Sequence, residues 1–120
     1  MPWEVEYTDQ FEEWWETLTI DEQAAIDAAV EALEDRGPAL GRPFVDTVKS
    51  SRHQNMKELR PLGGNIRILF AFDPRRAGIL LIGGNKTGRW EAWYREMVPV
   101  ADDLFDEHLV EIEREAGEEP

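Results

Sequence analysis

Four basic residues in the middle of the chain have the spacing expected of cations carried on strands: Lys57, Arg60, Arg67 and Lys86. Arg67 interrupts the apolar run 66–72, and the two-residue period of a strand directs its side chain to the face opposite Ile66. A cation among such neighbours costs free energy unless its guanidinium reaches solvent or an anion. Because guanidinium groups pair with phosphate oxygens two at a time, a sheet face with these cations and no evident carboxylate partner suits phosphate binding. The alternative is a set of snorkelling or salt-bridged side chains.

Two further side chains are candidates for proton transfer near such a site. Tyr94 can donate a hydrogen bond to an anionic transition state, and His53 lies in a polar segment just before the basic strand. His108 instead falls along the apolar stripe of the last expected helix, so we interpret it as a residue at the rim of the core.

The charge of the chain is distributed unevenly. The net charge is −13, yet residues 49–95 hold ten Lys and Arg against three Asp and Glu, and both flanking segments are acidic. This middle segment supplies four further candidate nucleic-acid contacts: Lys49, Arg52, Arg89 and Arg95. Trp90 and Trp93 lie between the last two, an interleaving typical of sites where bases stack near phosphate contacts, although at least one indole is expected to pack in the core. These cations either share one anion-binding face or pair with the acidic helices as surface ion pairs.

Several kinds of chemistry are excluded by composition. The chain has no Cys and only two His, so thiolate chemistry and a His-based zinc site are not expected, and we predict no metal and no cofactor. Asn85 stands where a phosphate-binding P-loop needs Gly before Lys86. Residues 1–6 lack the features of a signal peptide, and the longest apolar run is too short to span a bilayer. These features predict a cytoplasmic domain without a membrane contact.

The N-terminal third is expected to form a strand followed by a helical hairpin. Alternating Trp3, Val5 and Tyr7 predict a half-buried strand, and Thr8-Asp9 can cap a first helix. Thr19 and Glu22 have the spacing of a capping box for a second helix, which Gly37-Pro38 ends.

The rest of the chain reads as a three-stranded meander and a final helix. We predict strands at residues 56–62, 66–72 and 79–82, with a short strand near Val45 to Val48 and the last strand closed by residues 83–85. Residues 90–97 are a short strand or helix, and Pro99 then opens the last helix. The prediction is a single α+β domain over residues 1–116, with helices on one face of a small antiparallel sheet and an acidic tail at 117–120.

A family resemblance rests on the succession of four segments: 56–60, 64–73, 83–86 and 99–102. Together they resemble the HigB branch of the RelE/ParE type II toxin superfamily, and the similarity covers residues 3–115, including the order of elements. The resemblance implies a RelE/ParE-like fold and a toxin that cuts mRNA on the ribosome. It also implies a helix-turn-helix, HigA-like antitoxin as partner.

The resemblance implies a specific reaction as well. A base takes the proton of a ribose 2′-hydroxyl, the oxygen attacks the adjacent phosphate, cations stabilise the phosphorane, and an acid protonates the leaving 5′-oxygen without a metal. The motifs assign these roles to Lys57, Arg60, Arg67 and Lys86, with His53 or Tyr94 assisting proton transfer. Toxins of this family that dock on the ribosome are usually basic, so the acidity of this chain is a departure.

Two other function classes remain open at this point. A ParE-like toxin would inhibit gyrase on the same fold and leave RNA intact. A non-toxic interaction module would act through its acidic helices or Trp-rich surface. The oligomeric state is not predicted.

Overall fold

The computed structural model describes residues 2–88 and 90–118 and consists of five strands and three α-helices around one sheet. The elements are β1 (Val5–Tyr7), α1 (Asp9–Trp15), α2 (Ile20–Arg36), a 3₁₀ turn (Gly37–Ala39), β2 (Val45–Thr47), β3 (Lys57–Leu59), β4 (Ile66–Phe72), β5 (Gly78–Asn85) and α3 (Trp90–Glu118). The sheet order is β1-β5-β4-β3-β2, and β1 alone runs parallel to its neighbour. The α+β class and the β3-β4-β5 meander are confirmed.

The predicted helix ends of the hairpin are confirmed. The Thr8 hydroxyl accepts from the Phe11 amide at 3.0 Å, which caps α1. Thr19 and Glu22 form the reciprocal capping box of α2. Gly37 follows α2 with a φ of 55°, and the Trp3 indole packs where a side chain at this position would lie.

The prediction that all helices pack on one face of the sheet is wrong. Helices α1 and α2 cover one face, over a core that includes Phe11, Leu33 and Phe70. Helix α3 covers the other face, over a core that includes Leu69 and Phe105. The physical reason is that β4 and β5 are apolar on both faces, so each face needs a covering layer.

The last sheet strand is longer than predicted, because Gly83 and Gly84 belong to β5 rather than to a closing turn. A Cβ on Gly83 would overlap the ring of Trp14, and one on Gly84 would overlap the ring of Trp93. Because the two glycines have no side chain, one indole packs directly against the strand on each face of the sheet. Glycine within a strand often marks such a close approach.

Helix α3 starts before Pro99 and continues through it, so the prediction that Pro99 opens the helix is wrong. Trp93, Val98 and Ala101 continue one buried stripe across the proline. Pro99 itself is exposed, so water can satisfy the carbonyl that loses its helical hydrogen bond. Residues 117 and 118 of the predicted tail still belong to α3, and 119–120 lie outside the described residues.

Within residues 2–88 and 90–118, no helix combines the length and apolar character needed to cross a bilayer.

Candidate functional site

A buried carboxylate, Glu58, is surrounded by basic and phenolic groups beneath the first turns of α3. Its Oε1 accepts from the Tyr94 hydroxyl at 2.5 Å and lies 3.6 Å from Arg67 Nε. Its Oε2 accepts from Arg60 at 3.0 Å. Lys86 Nζ lies 3.5 Å from the Tyr94 hydroxyl. We call this group the Glu58 cluster: Glu58, Arg60, Arg67, Lys86 and Tyr94.

The cluster is built by three neighbouring strands and one helix. In β3, the two-residue period places Glu58 on the α3 face, whereas Leu59 packs into the α1/α2 core. Arg67 lies near the start of β4 on the α3 face, and Lys86 directly follows β5. Tyr94 lies in the second turn of α3, which brings its hydroxyl over the carboxylate.

Burial and charge shift the pKa values of two members in opposite directions. Burial, reinforced by the Arg67 cation, lowers the pKa of Lys86 to about 8, and its side chain is fully buried. Burial and the hydrogen bond to Glu58 raise the pKa of Tyr94 to about 12. The amine therefore exchanges its proton close to neutral pH, whereas the phenol stays protonated and acts as a hydrogen-bond donor.

The two arginines retain unused hydrogen-bonding capacity. Within the part of the chain that the structure describes, neither Arg60 Nε nor Arg67 Nε has a hydrogen-bond partner, although both atoms are buried. Arg67 also donates to the Ile66 carbonyl at 2.8 Å. Buried donors without an acceptor are rare and point to a function or to an additional ligand. An oxyanion at this position would supply the missing acceptors.

Two expectations about this face need correction. The face has a carboxylate partner, Glu58, although the sequence showed no evident partner there. Arg67 does point to the face opposite Ile66, but only 11% of its side chain is exposed, so it is not on an open surface. The reason is that the N-terminal part of α3 covers this end of the sheet.

The other predicted strand cation and the predicted peripheral contacts lie outside the cluster. The strand period places Lys57 on the face of Leu59, away from Glu58. Lys49 and Arg95 are exposed, in a turn and on α3. Arg89 lies outside the described residues.

Arg52 and His53, in the segment before β3, form ion pairs and hydrogen bonds with the middle of α3. Arg52 pairs with Asp103 at 2.9 Å and also with Asp106, and His53 Nε2 lies 2.8 Å from Asp106. Asp106 is twelve residues beyond Tyr94, which corresponds to about 18 Å of helix. His53 and Tyr94 are therefore not a neighbouring pair.

The basic middle segment also contributes to a contact at the opposite end of β4. Arg75 pairs with Asp73 at 2.7 Å and with Glu6 at 2.9 Å. His108 Nε2 lies 2.7 Å from the same Asp73 carboxylate, and its ring stacks on Phe105, as expected of a residue at the core rim. Three of the basic residues lie in the Glu58 cluster, whereas Arg52 and Arg75 pair with acidic residues elsewhere, so the basic residues do not share one face.

Glu58 is the residue that sequence reasoning missed. Its position two residues before Arg60 places both on one face of a strand, and this spacing was visible in the sequence. The sequence does not show that Glu58 of β3 pairs with Leu69 of β4, a register that brings Arg67 close to Glu58.

Among residues 2–88 and 90–118, no three His, Asp or Glu side chains are grouped so that they could hold a metal ion.

The fold is that of RelE-type proteins. The RelE-RelB complex from Pyrococcus horikoshii OT3 aligns with a TM-score of 0.58 at 15% identity, over 72% of this chain and 97% of that chain. The isolated E. coli RelE toxin aligns with a TM-score of 0.57 at 8% identity, over 78% of this chain and 97% of that chain. At these identities the similarity establishes the fold alone.

Sequence comparison gives the family. Residues 13–106 match the model of the family described as phage derived protein Gp49-like. Two Mycobacterium tuberculosis (strain ATCC 25618 / H37Rv) proteins named as toxins, HigB2 and HigB3, are 52% identical over 103 residues and 54% identical over 100 residues. Each alignment covers 83% of this chain, and the chain spans 51% of the length of HigB2 and 88% of that of HigB3. The chain belongs to the Gp49-like family, and the resemblance to HigB-type proteins is confirmed.

Proposed function

We propose that this protein is the toxin of a type II toxin–antitoxin pair and cleaves mRNA on the ribosome. The reaction is attack of a ribose 2′-hydroxyl on the adjacent phosphate, without a metal. The protein acts in the cytoplasm and is neutralised by a helix-turn-helix, HigA-like antitoxin. The similarity to HigB2 and HigB3, named as toxins, supports the assignment to this class.

The observation that carries the proposal is the Glu58 cluster. Three cations surround one carboxylate, and two buried guanidinium N–H groups have no acceptor within the described residues. A phosphate offers more acceptor atoms than a carboxylate and pairs with arginine in the same two-pronged geometry. In the resting protein Glu58 therefore occupies the position of the anion that the cations are arranged to bind.

The arginines stabilise charge in this mechanism. Negative charge grows on the phosphoryl oxygens as the 2′-oxygen attacks, and preorganised donors in a site shielded from water stabilise it most effectively. Arg60, with 29% of its side chain exposed, makes the first contact with the RNA phosphate. Arg67 is deeper and contacts the phosphorane as it forms.

Proton transfer falls to Lys86 and Tyr94. Lys86, whose pKa is about 8, can accept or return a proton near neutral pH. Tyr94 remains protonated and donates a hydrogen bond to the developing anion or the leaving oxygen. His53 is bonded to Asp106 and contributes to anchoring α3 rather than to this step.

The test is induced expression of the full chain, with growth and mRNA 5′ ends followed in the same cells. We expect growth arrest and new 5′ ends inside translated messages. Growth arrest with intact mRNA would overturn the nuclease proposal in favour of gyrase inhibition. Unchanged growth with intact mRNA would overturn the toxin proposal altogether.

Matched variants connect the activity to the cluster. Arg67→Met and Lys86→Met should each lower cleavage by roughly 100-fold or more, because each removes one charge-stabilising or proton-transferring group. Arg114→Ala is the control, since that arginine is exposed and pairs with Glu111 one turn earlier on α3. Circular dichroism verifies that each variant is folded. Cleavage at the wild-type rate by a folded Arg67→Met protein would contradict the assignment.

A further inference from the structure

The first two turns of α3 close the Glu58 cluster. The Tyr94 hydroxyl covers the carboxylate through its hydrogen bond, and the Trp93 indole packs directly on β5. Beneath them the Lys86 side chain is fully buried, and only 11% of the Arg67 side chain is exposed. An RNA phosphate therefore cannot reach these two cations while the first turns of α3 stay in this position.

The second half of α3 is attached to the rest of the protein by other contacts. Arg52, in the segment before β3, pairs with Asp106 of this half. His108 lies 2.7 Å from Asp73, which follows β4. Both contacts lie beyond Pro99 on the helix. The first half of α3 can therefore move while the second half keeps its attachments.

Two features flank residues 90–98 and allow such a movement. Pro99 has no N–H, so the helical hydrogen bond to the Arg95 carbonyl, which would stiffen α3 here, is missing. Before α3, Gly88 has a φ of 69° and open space around it, so its backbone angles can change at little cost. Tyr94 lies about 7.5 Å along the helix from Pro99, and a rotation of about 30° at the proline would move it by about 4 Å. A movement of this size breaks its hydrogen bond to the carboxylate.

We propose that residues 90–98 form a lid, which swings about Pro99 and Gly88 to admit an RNA phosphate to the cluster. In the resting protein the bond between Tyr94 and Glu58 keeps the lid closed. The proposal rests on the proposed function, since that function names RNA as the substrate. The entering phosphate pairs with the arginines that hold Glu58 and then accepts the Tyr94 hydrogen bond, so the lid closes again over the bound substrate.

Hydrogen exchange of the free protein tests the lid without any substitution. The amides of residues 94–98 and 103–107 are all far enough into α3 to have an acceptor one turn earlier. After correction for intrinsic rates, we expect residues 94–98 to exchange about tenfold faster or more, because the lid opens while the second half stays attached. Equal or slower exchange of residues 94–98 would mean that α3 moves as one body, and it would overturn the proposal.

Chemical labelling of Lys86 measures how often the lid opens. The probe is pyridoxal 5′-phosphate, whose aldehyde condenses with a lysine amine with loss of water, and borohydride then reduces the imine to a stable amine. Mass spectrometry compares Lys86 with the exposed Lys49 in the same sample. We expect Lys86 to react measurably but about tenfold or more slowly than Lys49, because it is reached only in the open state. Equal rates, or no labelling of Lys86, would overturn the proposal.

Two substitutions and one control test the closing bond and the hinge. Tyr94→Phe removes the bond to the carboxylate and should raise the labelling rate of Lys86 relative to Lys49 by about fivefold or more. Pro99→Ala restores the helical hydrogen bond and should lower that rate by about fivefold or more. Val110→Ala, at an exposed position in the second half of α3, should change the rate by less than about twofold. An unchanged rate in either of the first two variants would overturn the proposal, and hydrogen exchange of the wild type decides alone if a variant fails to fold.

These measurements do not depend on toxin activity, so the lid and the proposed function can fail separately. Growth and mRNA 5′ ends are followed in cells that express the wild-type chain. Growth arrest with mRNA cleavage, but with Lys86 labelled as fast as Lys49, would overturn the lid and leave the proposed function standing. Slow labelling of Lys86 together with unchanged growth and intact mRNA would overturn the proposed function, and with it RNA as the substrate that the lid admits.

Discussion

Replacing Glu58 by glutamine should strongly destabilise the protein, because one carboxylate balances the buried cations of its cluster. The Glu58 side chain is 6% exposed and lies 3.0 Å from Arg60 and 3.6 Å from Arg67. Removing one partner of a buried ion pair costs about 3–5 kcal/mol, because the remaining charge is left uncompensated. Arg60 is 29% exposed and retains Asp46 at 3.3 Å, so we expect a loss near the lower limit, about 3 kcal/mol.

Urea unfolding followed by circular dichroism measures this loss. With a slope of about 1.5 kcal/mol per molar urea, the midpoint of Glu58→Gln should fall by roughly 2 M. The control is Asp46→Asn, which removes a partly exposed carboxylate from the same arginine and should therefore cost clearly less than Glu58→Gln. Arg67→Met should be less harmful in the Glu58→Gln background than in the wild type, because it relieves an unbalanced charge. The electrostatic account is refuted if Glu58→Gln costs no more than Asp46→Asn, or if the effects of the two substitutions simply add.

Three further predictions concern the packing around Gly84, the titration of Tyr94 and the bond between Asp73 and His108 of α3. Gly84→Ala should cost about 1–3 kcal/mol in urea unfolding because its Cβ would overlap the α3 indole, whereas Gly64→Ala, with open space around it, should change little. In a Tyr7→Phe background, phenolate absorbance should report Tyr94 titrating near pH 12 rather than 10, and its bond to the carboxylate should stabilise the fold below pH 10 and be lost as the pH rises through 12. Asp73→Asn should cost about 3 kcal/mol near neutral pH, because it removes a buried carboxylate bonded to a histidine and an arginine. Burial raises the pKa of Asp73, but these bonds lower it by more, so the pKa lies below its usual value. The difference in unfolding free energy between Asp73→Asn and the wild type should therefore shrink as the pH falls below about 4. A difference that stays constant with pH would contradict this reasoning.

The elements that the sequence predicts best are the helices α1 and α2, whose ends carry capping residues. Thr8, the Thr19–Glu22 capping box and Gly37 give the limits of α1 and α2, because each satisfies backbone groups using neighbours within a few residues. The strands of the meander follow from their apolar runs and short turns. Such local rules do not say which face of the sheet a helix covers, and the error about α3 arose there.

Features that depend on contacts between distant residues were not predictable. Gly83 and Gly84 read as turn residues, because nothing nearby in sequence reveals that Trp14 and Trp93 pack on them from opposite faces. Pro99 read as a helix start, because its exposure within α3 depends on the orientation of the whole helix.

The candidate site was predicted in part for the same reason. Period-two geometry correctly places Arg67 opposite Ile66, since this is a property of one strand. Gathering Lys86 and Tyr94 around Glu58 requires the register of three strands and the position of α3. The two candidates for proton transfer lie apart, because His53 is bonded to Asp106, twelve residues beyond Tyr94 on α3.

The acidity of the chain is compatible with a phosphate-binding cluster because of where the charges lie. The acidic residues of α1 and α2 belong to helices that cover the opposite face of the sheet from the cluster, so the sheet lies between these helices and the cluster. At physiological salt the Debye length is about 8 Å, so exposed charges farther away than this are largely screened. Two carboxylates, Glu58 within the cluster and Asp46 beside it, are paired with its arginines. The net charge of −13 therefore describes the helices more than the candidate site, and it does not argue against an RNA substrate there.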